Sequence, residues 1–543
     1  MKGENQCIDC QNVLVINKMK REIKNIALSL SLVVVAFAIF ACGKKEETKE
    51  IKVKTETTVN ADVVDDADSS TGDIVIEGFE DAERVGDFLF RQKDVEGNVT
   101  SLIVLADKDF GVKKFVYNAI DLEPNYDDIA ALTINFDEKV VPDGAENLIS
   151  EDEENVTIKA GGIYVLKGTL KNKRIKIVEG TGKNIQIVLN GFKMETDKDS
   201  AILLSDNCLA QIFLAEGSIN EISVKKDPKV KKDTDNNAVI YAKDALVFNG
   251  KGKLVVNCDF DCSIQSAEKI TFISGDYVLN TKGDAIKAKK EVIFREGNFD
   301  ITSGDDAIKS TSNKNACIYL ENANIKINSN DKGLSSDDEL IIAGGNIDIK
   351  STGESVGGKT VNIIGGKINL VSGDDGINAG DAKQDKKSNQ TGVYIRVMGG
   401  EINIDSVMDG IDSNGDLYLD GGKLFINGSA NENDRIIDYN GKVTCNLGLE
   451  MIGIGPGAKM QDLGEKPGQS YIVVYYKEMQ NASDKLELKD ANGNVILTHT
   501  PSKNFNAALI TSANLEEGET YKIVNGAKEL TVELKAGKNE VWE

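Results

Sequence analysis

Histidine and tryptophan are almost missing: the 543 residues contain one of each, His499 and Trp542. The one histidine stands in the tail phrase ILTHTPSK, where a packed or solvated ring is the default, and no Ser-His-Asp triad is seen; a lone histidine does not build a histidine-rich zinc centre. The eight cysteines do not fill the gap. Cys7 and Cys10 form a CxxC without a second pair at finger spacing, and Cys208, Cys258, Cys262, Cys317 and Cys445 follow no regular interval. These five are expected to be buried free thiols, with a Cys258–Cys262 link as the alternative. Basic residues are outnumbered, 64 against 88 acidic ones, for a formal charge of -24. A phosphate-binding surface needs the opposite balance, so nucleic acid is excluded as a partner. No phosphate-cradling glycine loop and no redox motif is present.

Long apolar runs are scarce too, except for one near the start. Lys18-Met19-Lys20-Arg21 precedes Ile26–Ala41, IALSLSLVVVAFAIFA, of signal-peptide length and short for a membrane span. It ends Ile39-Phe40-Ala41-Cys42 before Gly43-Lys44-Lys45, which resembles a bacterial lipobox with Cys42 as the lipidated residue. Residues 1–42 are therefore expected to be a lipoprotein signal segment, with Met19 the more natural start and 1–18 outside the real product. A signal anchor is the alternative. Either way, the bulk of the chain is expected on a cell surface or periplasmic face, lipid-anchored to a bacterial membrane. Residues 43–72 are polar and poor in aromatics, a flexible linker. Residues 73–128 show some apolar alternation and form a small region of unassigned role.

From about residue 129 the chain breaks into short β-type runs separated by Gly, Asn, Asp and Ser. AGGNIDI, IGGKINL, MGGEINI and DGGKLFI repeat a Gly-Gly before an alternating strand. Between such strands stand small-apolar pairs beginning at Ser263, Ala285, Ala307, Gly333, Ser355, Gly376 and Gly410, at intervals of 22, 22, 26, 22, 21 and 34 residues. The long interval holds the polar loop DAKQDKKSNQTG. A repeat of this length with two or three short strands predicts one coil of a parallel β-helix, over 129–440. The LxxLxL signature of leucine-rich repeats and the GGxGxD calcium repeat are both missing. After 440 the period fades into antiparallel-type strands, with Asn492-Gly493 a hairpin signal. Residues 441–543 are expected to cap the open end of the helix, as an antiparallel β cap or sandwich.

Stacked coils turn the period into chemistry, because equivalent residues stand about 4.8 Å apart. The position before each small-apolar pair reads Cys262, Asp284, Asp306, Lys332, Glu354, Asp375 and Asp409. The position before that reads Asp261, Gly283, Asp305, Asp331, Gly353, Asp374 and Met408. Two acidic groups are expected: Asp284, Asp305, Asp306 and Asp331, then Glu354, Asp374, Asp375 and Asp409, with Lys332 between them. Carboxylates at that spacing repel by roughly 1 to 4 kcal/mol per pair. Calcium, which takes six to eight oxygens, would relieve them, and two ligands on opposite sides of the ion sit about 5 Å apart. Magnesium suits this less well and zinc lacks its ligands. The competing reading is turn chemistry, with Asp accepting nearby N–H groups and Lys287, Lys309 and Lys332 neutralising part of the charge.

These residues resemble a family of bacterial carbohydrate-binding β-helix proteins, the clostridial cellulose- and acid-sugar-binding type. SGDDAIKS and SGDDGINAG carry the resemblance, with the GGxIxI strands, AGGIYVLKGTL…IQIVLNGFKM, VMDGIDSNGDLYLDGGKLFINGS and GNVILTHTPSKNFNAALIT. It covers roughly residues 130–530. It implies an all-β, right-handed parallel β-helix of pectate-lyase type, bound calcium, and binding of cell-wall or acidic polysaccharide. Lys332 and Glu354 interrupt its Asp pattern, and 73–128 has no counterpart.

Three functions compete. The first is a monomeric, non-catalytic binder whose calcium ions and Lys287, Lys309 and Lys332 meet uronate carboxylates. Aromatics are 6% of the chain, which favours acidic sugars over neutral ones that want stacking faces. The second is a calcium-dependent polysaccharide lyase, for which a lysine of lowered pKa would be the base; no single base stands out. The third is an adhesin or rigid surface spacer.

Overall fold

The computed structural model describes residues 83–84, 89–93, 99–105, 112–117 and 119–543, less 179–183, 199, 206–209, 226–237, 313 and 386. The signal segment with Cys42 and the linker 43–72 lie outside the described residues.

The chain from 131 to 445 winds into a parallel β-solenoid, each coil from Ala210 onward built from three strands. In one coil these are the short strand Ile286–Ala288, the middle strand Glu291–Phe294 and the long strand Asn298–Ser303. Their side chains decide which way each strand faces. The long strand alternates, with Phe299, Ile301 and Ser303 inward and Asn298, Asp300 and Thr302 outward. Ile286 and Ala288 point in and Lys287 out. Each strand pairs in parallel with its equivalent one coil away, as Ile286 with Ile308 and Phe299 with Ile325. The short strands make a thirteen-stranded sheet from Ile149–Glu151 to Ile437–Tyr439. Its pairs are parallel except at the start, where 149–151 and 155–158 run antiparallel.

Stacking also orders the core. Phe248, Phe272 and Phe294 fall in register, and their rings stack at 4.9 and 5.0 Å between centroids. Tyr277 and Phe299 stack beside them at 4.7 Å. The second glycine of each Gly-Gly turns the chain into a long strand: Gly345, Gly366, Gly400 and Gly422 all have φ between 91° and 101°. At Gly345 a Cβ would also lie 2.2 Å from the Ala323 carbonyl of the coil beneath, so only glycine fits.

The middle strands are apolar on both sides. Ile273, Ile293, Tyr319, Ile341 and Ile364 face outward yet are buried, and Tyr117 and Leu122 pack on them. The region 73–128 contributes a four-stranded antiparallel sheet over Glu83–Val116, and its last residues anchor on the solenoid. Asn249 donates to the carbonyls of Asp121 and Glu123 at 2.8 and 2.9 Å.

At the far end, Leu449–Gly455 continues the long-strand sheet but pairs antiparallel with Phe505–Thr511, which pairs with Tyr471–Gln480. A second sheet, 486–490, 495–499, 520–525 and 528–533, covers it over a separate core that includes Ile454, Val474, Leu488, Phe505 and Ile523. The expected antiparallel cap is thus a two-sheet sandwich. Gly493, with φ 89°, turns the hairpin between 486–490 and 495–499. Cys258, Cys262, Cys317 and Cys445 are buried free thiols, so the Cys258–Cys262 link does not form.

Candidate functional site: an acidic corner

Every long strand ends in a turn that leads to the next short strand. The residue two before the first inward aliphatic occupies one corner of the solenoid: Asp284, Asp306, Lys332, Glu354, Asp375, Asp409 and Arg435 in successive coils. The carboxylates here reach across the rungs. Asp306 Oδ1 accepts the backbone N–H of Lys332 at 3.1 Å, and Asp375 Oδ1 that of Asp409 at 3.0 Å. Asp409 accepts the N–H of Arg435 in the same way. The turn-aspartate role is real, but it staples one coil to the next instead of closing a local turn.

Of the first acidic group, Asp305, Asp306 and Asp331 each place one oxygen within 4.8 Å of the others. Burial holds Asp331 above the usual carboxylate range, and Asp306 adds to it. Asp284 leaves this group for lysine. Its Oδ2 receives Lys287 Nζ at 2.7 Å, Oδ1 lies 4.0 Å from Lys309, and the side chain is 5% exposed. Lys309 Nζ binds Asp306 at 2.7 Å. Burial alone would lower both lysines, but the hydrogen bonds to Asp284 and Asp306 outweigh it and raise them. A proton-abstracting lysine needs the opposite shift.

In the second group Lys332 pairs with Glu354 at 3.2 Å. Asp374, Asp375 and Asp409 stack beyond it. Burial is the main cause that pushes Asp374 up, with Glu354 next. Burial pushes Asp375 up to about 6 and Asp409 to about 7, each raised further by neighbouring carboxylates.

The structure adds a residue that the corner positions do not contain. Asp412, on the outward position of its short strand, is raised to about 8 by burial and by Asp375, Asp409 and Asp438. Asn378 donates to Asp375 at 3.0 Å and to Asp412 at 3.3 Å, tying the two together. The outward column runs Lys287, Lys309, Ser335, Gly357, Asn378, Asp412, Asp438. It starts cationic and ends anionic. Arg435 pairs with Asp438, and Ser429 with Asp434, so part of that end is answered. Reading the column one residue past the small-apolar pair would have found Asp412.

The donors of both groups are carboxylate oxygens, with an amide at Asn378 and no Cys or His among them. That set fits a hard divalent cation of calcium type. Among the described residues, Asp305, Asp306 and Asp331 bring their oxygens close enough to hold one ion, whereas those of Asp374, Asp375, Asp409 and Asp412 do not converge in this way.

The long-strand face offers a second kind of surface. Asn298 donates to Asp276 at 2.7 Å, Asn324 to Asn298 at 2.9 Å and Asn346 to Asn324 at 2.7 Å, an exposed amide ladder. It lines a shallow groove of roughly 580 Å³ that crosses six coils from Lys253 to Lys367.

The solved structure of a polysaccharide lyase-like protein from C. thermocellum aligns over 58% of this chain and 91% of its own, at 20% identity. Its TM-score of 0.27 is too low for a statement on fold. A carbohydrate-binding domain-containing protein of Acetivibrio thermocellus is 28% identical over 151 residues, 27% of this chain and 52% of that protein. The match therefore spans about half the length of that relative. A family model described as carbohydrate-binding domain-containing protein matches residues 152–360 and again 331–527, the solenoid and most of the cap. With most of its length matched, as the repeated acidic turns and GGxIxI strands led one to expect, this chain belongs to the family of carbohydrate-binding domain-containing proteins.

Proposed function

We propose that the protein is a non-catalytic, calcium-dependent binder of acidic polysaccharide, held at a bacterial surface by a lipid on Cys42. The observation that carries it is the set of Asp305, Asp306 and Asp331, each with an oxygen within 4.8 Å of the others. Three carboxylates held that close repel one another, and a divalent cation would relieve them. Asp305 is exposed, so a cation held there would keep coordination sites open outward, where a uronate carboxylate supplies the missing oxygens. The groove across six coils suits a chain ligand better than a single sugar. Lys287, Lys309 and Lys332 stand in ion pairs with Asp284, Asp306 and Glu354, which supports binding over elimination.

Retention on immobilised polygalacturonate, with calcium and with EDTA, tests this. Calcium-dependent retention with no unsaturated product is the expected result. Ultraviolet absorbance of unsaturated uronates would make the protein a lyase. No retention on any acidic glycan would leave a rigid surface spacer.

A further inference from the structure

The last strand, Lys538–Trp542, runs parallel to Tyr471–Tyr475 in the first sheet of the cap, with Trp542 opposite Tyr475. Register partners share a face of the sheet. The two rings stack at 4.2 Å between centroids and 18° between planes. Among the described strands 538–542 has no pairing partner on its other side, so the indole is the outermost ring of the row and its free face looks off the sheet edge. Trp542 is 67% exposed, the largest side chain among the exposed apolar residues. Behind it, a Cβ on Gly457 would lie 3.2 Å from Tyr475 Cδ1, so backbone closes the space on which the tyrosine leans. The indole is thus held upright before any ligand arrives, which lowers the ordering cost of binding.

Its surroundings select the ligand. Lys538, on the same face of the strand as Trp542, is held by Asp462 and Glu540, each at 2.8 Å. Two carboxylates thus answer that ammonium group, which is not free to receive a uronate. An uncharged pyranose with equatorial hydroxyls fits better. Its flat C–H face covers the indole, and its rim hydroxyls donate to the carboxylates.

We propose that Trp542, backed by Tyr475, is a second, calcium-independent subsite that takes a neutral sugar ring. The proposal rests on the reading that the protein binds polysaccharide but not on calcium or on uronate.

Because Trp542 is the chain's one tryptophan, its fluorescence reports on this site alone. The full chain in EDTA is titrated with a β-1,4-linked glucose hexamer. A saturable change of emission is expected, together with at least tenfold weaker binding by Trp542→Ala in calorimetry. Tyr475→Leu is expected to weaken binding less, and retention of polygalacturonate with calcium should be unchanged in both variants. Emission that does not respond, or equal affinity in Trp542→Ala, overturns the subsite. Uronate retention with no hexamer binding sinks this proposal and leaves the acidic-glycan reading standing. Hexamer binding without uronate retention does the reverse.

Discussion

Asp375 and Asp409 are joined from one coil to the next, the carboxylate of the first accepting the backbone N–H of the second at 3.0 Å. One oxygen of Asp375 is therefore committed to the fold, and the other, held by Asn378, is oriented toward the acidic corner. Charge and hydrogen bonding can be separated here. Asp375→Asn retains an acceptor for the Asp409 N–H and loses the charge. It is expected to fold normally by circular dichroism and to bind calcium at least tenfold more weakly by calorimetry. Asp375→Ala should lose the staple as well, at a further cost of about 1–3 kcal/mol. Undiminished calcium binding by both variants would remove this corner from the metal site, and the same comparison at Asp306 tests the other group.

Chelated protein should become less stable as pH rises. Asp375, Asp409 and Asp412 titrate at about 6, 7 and 8 when folded, above the value of an unfolded aspartate. Between about pH 4 and 8 the folded state thus binds more protons than the unfolded state, and stability falls with rising pH. Calcium bound there, as proposed, would replace those protons. The gain in Tm on adding calcium to EDTA-treated protein is expected to be larger at pH 8 than at pH 5.5. A calcium gain independent of pH would mean that the ion does not sit on these carboxylates.

Lys309 serves two buried acids, Asp306 at 2.7 Å and Asp284 at 4.0 Å. Lys309→Met keeps the stem and deletes the charge, leaving both carboxylates short of a counter-ion. With the head 28% exposed, solvent screens part of the loss, and a destabilisation of about 2–4 kcal/mol is expected in urea unfolding under chelation. A change below 0.5 kcal/mol would show that Asp284 and Asp306 are compensated by other means.

His499 lies in the seam between cap and solenoid. Its Nε2 bonds Asn427 Oδ1 at 2.8 Å and its ring stacks on Phe425 at 5.5 Å. Burial lowers it to about 4. Between about pH 6.5 and 4 the unfolded histidine takes up a proton that the folded one refuses. Its contribution therefore falls as pH falls, by up to about 3 kcal/mol, opposite in sign to the aspartates. His499→Gln should flatten the acid limb of the stability curve for the cap. An unaltered limb would place the titrating group elsewhere.

The solenoid was legible because its code is periodic: Gly-Gly turns, alternating long strands and small-apolar pairs recur at nearly fixed intervals. The corner column of Asp284, Asp306, Glu354, Asp375 and Asp409 was legible for the same reason. What the sequence hid was pairing between neighbouring columns. Asp284 falls at an acidic position by register, yet Lys287, three residues on, claims it. Asp412 sits one residue past the small-apolar pair, where the coils from Lys287 to Asn378 carry lysine, serine, glycine or asparagine, so no acidic repeat announced it. The packing of Tyr117 and Leu122 on the outward apolar cluster of the middle strands was hidden as well, because a strand apolar on both sides does not say what covers it.

The outward column that begins at Lys287 and Lys309 and ends at Asp412 and Asp438 makes the solenoid electrically unsymmetrical along its length. If the proposed calcium binds at the anionic end, it would remove the repulsion that a polyanion following this flank meets there, and chelation is then expected to shorten the footprint before it abolishes binding.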